Sequence, residues 1–359
     1  MTNSMNGKLK GVIVALLSVI LGLVMGAVIM LVSGHDPIAG YSAMIQGSFG
    51  DLSYFGETLR QSTPLILTAL AFAVASTAGF FNIGIEGQSL LGWLGAVWCA
   101  LAFPDLPKFI LLPACLIVGA LFGAFWAGIA GMLKAFFNTS EVIITIMLNY
   151  IALYLSNFVI RDIITDGKDA TPIIPDAASL RSPGLEQLTD YSRLHYGIII
   201  AVLMCVIVWI LMQKTTTGYE LRAVGMNPFA SQYAGMSTKR NIILAMVISG
   251  ALAGLGGTME GLGTFKNIFT QNSLPGLGFN GMAVSLLGGG NPFGIIAAGV
   301  LFGALKTGGL LMPTEAGVPE ELVDIVIALI IFFVGASYLI TYLLDKLPAK
   351  KNALKEGGE

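Results

Sequence analysis

Ten apolar runs alternate with shorter polar segments along the chain. A helix that crosses the hydrocarbon core of a bilayer needs about 20 predominantly apolar residues. Because the runs approach this length, the pattern predicts an all-α polytopic membrane protein with about ten transmembrane helices. The predicted spans are residues 11–32, 62–81, 87–103, 109–133, 141–160, 195–212, 241–262, 276–290, 292–312 and 322–344.

Lysine and arginine residues are distributed unequally between the two sets of predicted loops. With the N-terminus inside, the inside segments hold eleven basic residues and the outside loops seven. Because cytoplasmic loops are enriched in Lys and Arg, we expect both termini to be cytoplasmic. The acidic, proline-containing segment 161–194 is then an extracellular loop, whereas the basic segment 213–240 and the tail 345–359 are cytoplasmic. No linker suggests a second domain, so residues 1–359 are predicted to form a single transmembrane domain.

The ten predicted spans divide into two sets of five. An odd number of spans per half gives the halves opposite orientations, as in transporters built from inverted repeats. The short motifs FFNIG at 80–84 and GFNGM at 278–282 are candidates for matching helix breaks in the two halves. The sequence thus predicts two inverted five-helix halves with broken helices.

Composition excludes several classes of protein. Hydrophobic residues make up 55% of the 359 positions and charged residues only 11%, far fewer charges than the surface of a soluble domain needs. The net charge of −2 leaves no basic face for a nucleic acid. The three cysteines and two histidines have neither disulfide-framework nor metal-site spacing. There is no P-loop and no GxSxG motif, so we expect no enzyme activity, no cofactor and no metal, and any ATP must bind another chain.

Several polar side chains interrupt the apolar runs and are candidates for a transport pathway. Asn82, Glu86 and Gln88 lie between two runs, beside glycines that favour a broken helix, and Asn149 lies in the middle of another run. Asn280 belongs to a second glycine-rich break. Polar groups at membrane depth are costly and therefore mark functional sites. The alternative for the 82–88 group is a short cytoplasmic turn with solvated side chains.

Five segments together resemble the bacterial ABC-importer permeases for nucleosides and simple sugars, in particular the branch that works with a nucleoside-binding lipoprotein. They occur in the family's order from the second predicted span to the ninth. The segments are GFFNIGIEGQ (79–88), SEVIITIMLNYIA (140–152), TGYELRAVGMNPFASQYAGM (217–236), ISGALAGLGGTMEGLG (248–263) and GFNGMAVSLLGGGNPFG (278–294).

This resemblance implies a permease domain of the bacterial cytoplasmic membrane that imports nucleosides. It also implies three protein partners: a second, homologous permease, a cytoplasmic ATPase with two nucleotide-binding modules, and an extracellular lipid-anchored substrate-binding protein. The 217–236 segment is then the coupling helix that contacts the ATPase. We expect a short helix followed by a second one in which Asn227 is the cap and Pro228 lies in the first turn. The coupling residues implied are Gly218, Glu220, Arg222, Gly225 and Asn227.

Two alternatives remain open on the sequence. The first is ABC import of a simple sugar or a flavin-like compound, because substrate choice rests largely with the binding protein. The second is an ion-coupled secondary transporter, whose expected mark is intramembrane acids paired with cations. Glu86, Glu260 and Lys306 are the candidates for such pairs.

Overall fold

The computed structural model describes residues 7–336 and 340–342, and all regular secondary structure within these residues is helical. One isolated antiparallel bridge joins Ala170 to Phe269. The helices are α1 (Gly7–Val32), α2 (Pro37–Phe49), α3 (Leu52–Thr77), α4 (Ile85–Ala102), α5 (Lys108–Phe137), α6 (Glu141–Phe158), α7 (Pro183–Leu188), α8 (Gly197–Lys214), α9 (Thr216–Met226), α10 (Pro228–Tyr233), α11 (Thr238–Met259), α12 (Leu277–Leu287), α13 (Pro292–Gly309), α14 (Met312–Ala316) and α15 (Glu320–Gly335).

Each of the ten predicted spans coincides with a helix, which confirms the all-α polytopic class. Within the described residues, six helical segments are long and apolar enough to cross a membrane: Ile13–Val32, Lys108–Phe137, Glu141–Ile164, Gly197–Lys214, Thr238–Phe265 and Pro292–Gly309. The other four predicted spans correspond to α3, α4, α12 and α15, which are more polar or shorter. The predicted tail at 345–359 and the end of the last span lie outside the described residues.

Two features differ from the predicted pattern. Helix α2 was not predicted, and α3 begins ten residues before the predicted span at 62. The start of α3 is fixed by Asp51, whose carboxylate accepts a hydrogen bond of 2.8 Å from the Tyr54 N–H. A polar first turn can be helical without being apolar, so hydropathy alone places the beginning of this helix too late.

The helices group into two compact units. One comprises residues 41–311; the other comprises the described residues up to Gly40 together with those from Met312 onward. In the second unit, α1 and α15 pack so closely that a Cβ atom at Gly22 would lie 2.5 Å from the Ile330 side chain. The prediction of a single permease domain stays a prediction.

In the larger unit, α4, α5 and α11 meet through glycines, and we refer to these three helices as the glycine-packed block. A Cβ atom at Gly92 would lie 2.3 Å from the Gly254 Cα, and one at Gly123 would lie 2.2 Å from the Gly250 carbonyl oxygen. Backbones this close leave no space for a side chain. Glycines four residues apart, such as Gly250 and Gly254, therefore serve helix packing in this block.

The 161–194 segment is held against the chain that follows α11. Backbone N–H groups of Thr171 and Ile174 donate to the carbonyls of Ile268 and Lys266 at 2.9 and 2.8 Å. The carbonyl of Asp169 accepts from the Thr270 N–H at 2.8 Å. This polar segment is thus ordered by backbone pairing with a distant part of the chain.

Candidate functional site

The sequence-predicted polar residues converge at the beginning of α4. Asn82 is fully buried in the turn that joins α3 to α4. Its Oδ1 accepts from the Gly84 N–H at 2.9 Å, and its Nδ2 donates to the Ser249 Oγ on α11 at 2.9 Å. Asn82 and Gln88 also form a reciprocal amide pair, with distances of 3.0 and 3.1 Å. These amides join α4 to α11 and are satisfied within the chain.

Glu86 connects the two predicted helix breaks. It lies in the first turn of α4 and is fully buried. Its Oε1 accepts from the Gly278 N–H at 2.8 Å and, more weakly, from the Phe279 N–H at 3.4 Å. These two groups belong to the first turn of α12, where backbone donors have no partner within the helix. The carboxylate of Glu86 therefore caps α12 from another helix, while its Oε2 has no partner among the described residues.

Asn149 and Asn280 complete the set of predicted pathway residues. Asn149 on α6 accepts from the Gly87 N–H and donates to the Ile83 carbonyl, both at 2.9 Å, and so attaches α6 to the first turn of α4. Asn280 is half-buried on α12 and donates to the Gly276 carbonyl at 2.6 Å. The structure thus brings Asn82, Glu86, Gln88 and Asn149 together and places Asn280 in the helix that Glu86 caps. Contact with a substrate stays a prediction.

We expect Asn149→Ala to lower the stability of the chain by about 2–3 kcal/mol, because it leaves the Gly87 N–H and the Ile83 carbonyl without partners. Thermal unfolding of the purified protein in detergent measures this loss. Gln187→Ala is the control, because Gln187 is exposed and forms no side-chain hydrogen bond among the described residues. Equal unfolding midpoints for the two variants would contradict the structural role of Asn149.

The predicted coupling segment is helical, as expected. It consists of α9 and α10, and the Asn227 Oδ1 accepts from the Phe229 and Ala230 N–H groups at 3.0 Å each, which confirms the predicted cap and the position of Pro228. Glu220 accepts from the Asn241 Nδ2 of α11 at 2.9 Å. Arg222 is half-buried, and one of its guanidinium nitrogens has no partner among the described residues.

Two glycines fix α9 against the transmembrane helices. A Cβ atom at Gly218 would lie 2.1 Å from the Leu211 carbonyl oxygen of α8. A Cβ atom at Gly225 would lie 2.1 Å from the Thr77 carbonyl oxygen, at the end of α3. Because both neighbours are backbone atoms, α9 contacts the ends of α8 and α3 with no flexible side chain between them.

The coupling segment also carries an exposed apolar surface that the sequence analysis did not identify. It consists of Tyr219, Met226, Phe229 and Tyr233, and the last is 95% exposed. Exposed large apolar side chains on a short polar connection are typical of protein–protein or membrane interaction sites. The signal was present in the sequence as MNPFASQY at 226–233, but hydropathy averaged over the basic segment conceals it.

A second polar group, also missed, joins α3 to the 161–194 segment. Glu57 binds Arg60 (Nε–Oε2, 2.6 Å) and Arg193 (Nη2–Oε2, 3.0 Å), and it accepts from the Arg193 backbone N–H at 2.7 Å. Arg181 donates to the carbonyls of Gly263 and Thr264, which lie in the π-helical turn Glu260–Phe265 after α11. We name Glu57, Arg60, Arg181 and Arg193 the Glu57 ion cluster. Glu57 and Arg60 are three residues apart on α3, but Arg181 and Arg193 are more than 120 positions further along the chain, so spacing does not reveal the whole cluster.

Glu57→Ala should loosen residues 176–196, since Arg193 loses both its ion-pair partner and the acceptor for its backbone N–H. Hydrogen exchange reports the population of such open states. We expect exchange in this segment to accelerate by roughly tenfold, equivalent to about 1.4 kcal/mol. Glu186→Ala in the same segment serves as the control, because Glu186 forms no salt bridge among the described residues. Unchanged exchange in Glu57→Ala would show that the ion pairs do not hold the segment.

Metal ligands are not grouped in the part of the chain that the structure describes. No set of three or more His, Cys, Asp or Glu side chains there could hold a metal ion. Cys115 and Cys205 are buried free thiols and Cys99 is half-buried.

Comparison with known proteins assigns the family. Residues 54–335 match the family described as branched-chain amino acid transport system / permease component, and the chain belongs to that family. It is a multi-pass membrane protein whose relatives are permease subunits of ABC transporters.

Three relatives show how far the similarity extends. The chain is 54% identical to the guanosine ABC transporter permease NupP of Bacillus subtilis (strain 168), over 96% of this chain and 98% of that protein. It is 47% identical to the nucleoside ABC transporter permease NupB of Lactococcus lactis subsp. cremoris (strain MG1363), over 99% of this chain and 100% of that protein. It is 28% identical to the guanosine ABC transporter permease NupQ of the same B. subtilis strain, over 80% of this chain and 88% of that protein. No solved structure matches the chain significantly.

Proposed function

We propose that this chain is the permease subunit of a bacterial ABC importer that moves nucleosides into the cell. The observation that carries the substrate class is the similarity, over nearly the whole length, to a guanosine permease and a nucleoside permease. The sequence contains no P-loop, so ATP hydrolysis belongs to a separate subunit.

The proposed assembly has three protein partners. B. subtilis has two guanosine permeases, NupP and NupQ, that differ in their similarity to this chain. This supports a second, homologous permease as the partner within the membrane. A cytoplasmic ATPase with two nucleotide-binding modules and an extracellular lipid-anchored binding protein complete the importer. In this arrangement both termini and the coupling segment are cytoplasmic, and the 161–194 segment faces outward.

The apolar surface of the coupling segment is the proposed contact with the ATPase. Met226, Phe229 and Tyr233 are largely exposed, so they are free to enter a groove on a partner. Gly218 and Gly225 join the segment to the ends of α8 and α3 through backbone contacts. A displacement of the segment by the ATPase therefore moves the ends of these helices, which is the kind of rigid-body change that alternating access requires.

The substrate pathway is proposed to follow the polar residues at the start of α4 and α12. Asn82, Gln88 and Asn149 use their amide groups to hold helices together, whereas Glu86 retains one carboxylate oxygen with no partner among the described residues. Asn280 is half-buried on the helix that Glu86 caps. If α12 moves away from α4, Glu86 and Asn280 are the first groups freed to hydrogen-bond a nucleoside.

Reconstituted transport tests this proposal. The chain is purified together with an ATPase, a second permease and a binding protein from the same organism, and placed in liposomes. ATP-dependent uptake of labelled guanosine or uridine, lost after Arg222→Ala, is the expected result. ATP-dependent uptake of ribose but not of nucleosides would support the importer class and change the proposed substrate to a simple sugar. Uptake by this chain alone, driven by an ion gradient without ATP, would favour the secondary transporter and overturn the proposal.

A further inference from the structure

A groove on the surface of the glycine-packed block combines apolar walls with two cations. This open groove has a volume of about 390 Å³ and lies between the C-terminal end of α5 and the N-terminal end of α11. Ile243, Leu244 and Val247 are half-buried along its length. The residues that line it are Phe136, Lys239, Arg240, Ile243, Leu244 and Val247.

The cations lie together at one end of this groove. Lys239 and Arg240 are both exposed, and neither forms a salt bridge among the described residues. The first turn of α11 contains no acidic residue. The Lys239 Nζ lies 5.4 Å from the centre of the Phe136 ring, which holds the ammonium group at the mouth of the groove. Two adjacent positive charges that form no ion pair among the described residues favour an anionic ligand.

The apolar part extends from these cations along α11. Arg240 and Val247 are seven residues apart, which is about 10 Å along a helix axis. Gly128 and Gly131 of α5 face Val247 and Ile243 and leave this side of α5 without protruding side chains. A ligand that fits must therefore be anionic at one end and hydrocarbon over the adjoining length.

We propose that this groove binds an anionic phospholipid, with its phosphate on Lys239 and Arg240 and an acyl chain along Ile243, Leu244 and Val247. The inference rests on the proposed orientation, which places these cations at the cytoplasmic leaflet. Basic pockets between transmembrane helices on that side are suited to anionic head groups. A soluble protein partner fits the apolar walls less well, because they continue into the depth of the hydrocarbon.

Lipid binding to the purified chain tests the proposal without ATP or substrate, so its failure is distinct from a failure of nucleoside import. Native mass spectrometry compares phosphatidylglycerol with phosphatidylcholine. We expect the wild type to bind phosphatidylglycerol about tenfold more tightly. The double variant Lys239→Gln, Arg240→Gln should lose this preference, and Leu244→Trp, which fills the groove, should weaken the binding of both lipids.

Lys214→Gln is the matched control. Lys214 also lies over an aromatic ring, 5.8 Å from that of Trp209, but it does not line this groove. We expect this variant to keep the preference for phosphatidylglycerol. Equal binding of the two lipids by the wild type would overturn the proposal. So would a double variant that keeps the lipid preference but no longer co-purifies with the ATPase, because the two cations would then belong to that interface.

Discussion

Glu86→Ala should reduce ATP-dependent uptake by at least about tenfold. The buried carboxylate accepts the Gly278 N–H at 2.8 Å and the Phe279 N–H at 3.4 Å, and Gly276, at the start of α12, provides no side-chain cap of its own. A hydrogen bond to a charged group contributes about 1.5–3 kcal/mol. Without the Glu86 carboxylate, α12 loses these two hydrogen bonds to α4. Uptake of labelled guanosine in liposomes, together with thermal unfolding in detergent, measures the effect.

Two further variants separate charge from geometry at this position. Glu86→Gln keeps one carbonyl oxygen for the Gly278 N–H, so it should retain more uptake than Glu86→Ala. Glu141→Gln is the control, since Glu141 also lies in the first turn of a helix but pairs with Lys134 at the partly exposed surface. Surface pairs of this kind contribute at most about 1 kcal/mol. Wild-type uptake by Glu86→Ala at equal reconstitution would exclude the proposed capping role.

Gly225→Ala should separate ATP hydrolysis from transport. The added Cβ would lie 2.1 Å from the Thr77 carbonyl oxygen and about 3 Å from the Ala78 backbone, so α9 must move away from the end of α3. We expect uptake to fall to the background of ATP-free liposomes while the ATPase continues to hydrolyse ATP. Parallel assays of uptake and phosphate release on the same vesicles measure this.

The control for this prediction is the same substitution where space is available. At Gly184, in the 161–194 segment, the nearest atom to an added Cβ is the Ser182 Oγ at 3.8 Å, an ordinary contact. Gly184→Ala should therefore transport at the wild-type rate. If Gly225→Ala also transports normally, the backbone contact between α9 and α3 does not transmit movement.

The apolar pattern predicted the helices well because membrane thickness sets their length. All ten predicted spans coincide with helices, whereas α2 and the polar beginning of α3 lie outside the reach of hydropathy. In the coupling segment, Asn227 and Pro228 were correctly placed because capping is determined within a few residues. Features that depend on residues close together in the sequence, such as helix length and helix caps, could therefore be predicted correctly.

The site was predictable only in part, because its contacts join distant positions. The sequence marked Asn82 and Glu86 as unusual, since polar groups are costly at membrane depth. It gave no indication that Asn82 binds Ser249 or that Glu86 caps α12. The Glu57 ion cluster likewise joins distant positions, because Glu57 and Arg193 are 136 positions apart. Partners at such separations are determined by tertiary packing rather than by spacing.

The glycine-packed block has a practical consequence for measuring the transport cycle. Its helices touch through backbone atoms at Gly92, Gly123, Gly250 and Gly254, so they cannot slide past one another without a clash. Spectroscopic labels placed on α5 and α11 should consequently keep a constant separation in every nucleotide state. Such a pair of labels provides a fixed reference distance. A change in distance from this block to a label on α9 or α12 can then be assigned to the movement of that helix alone.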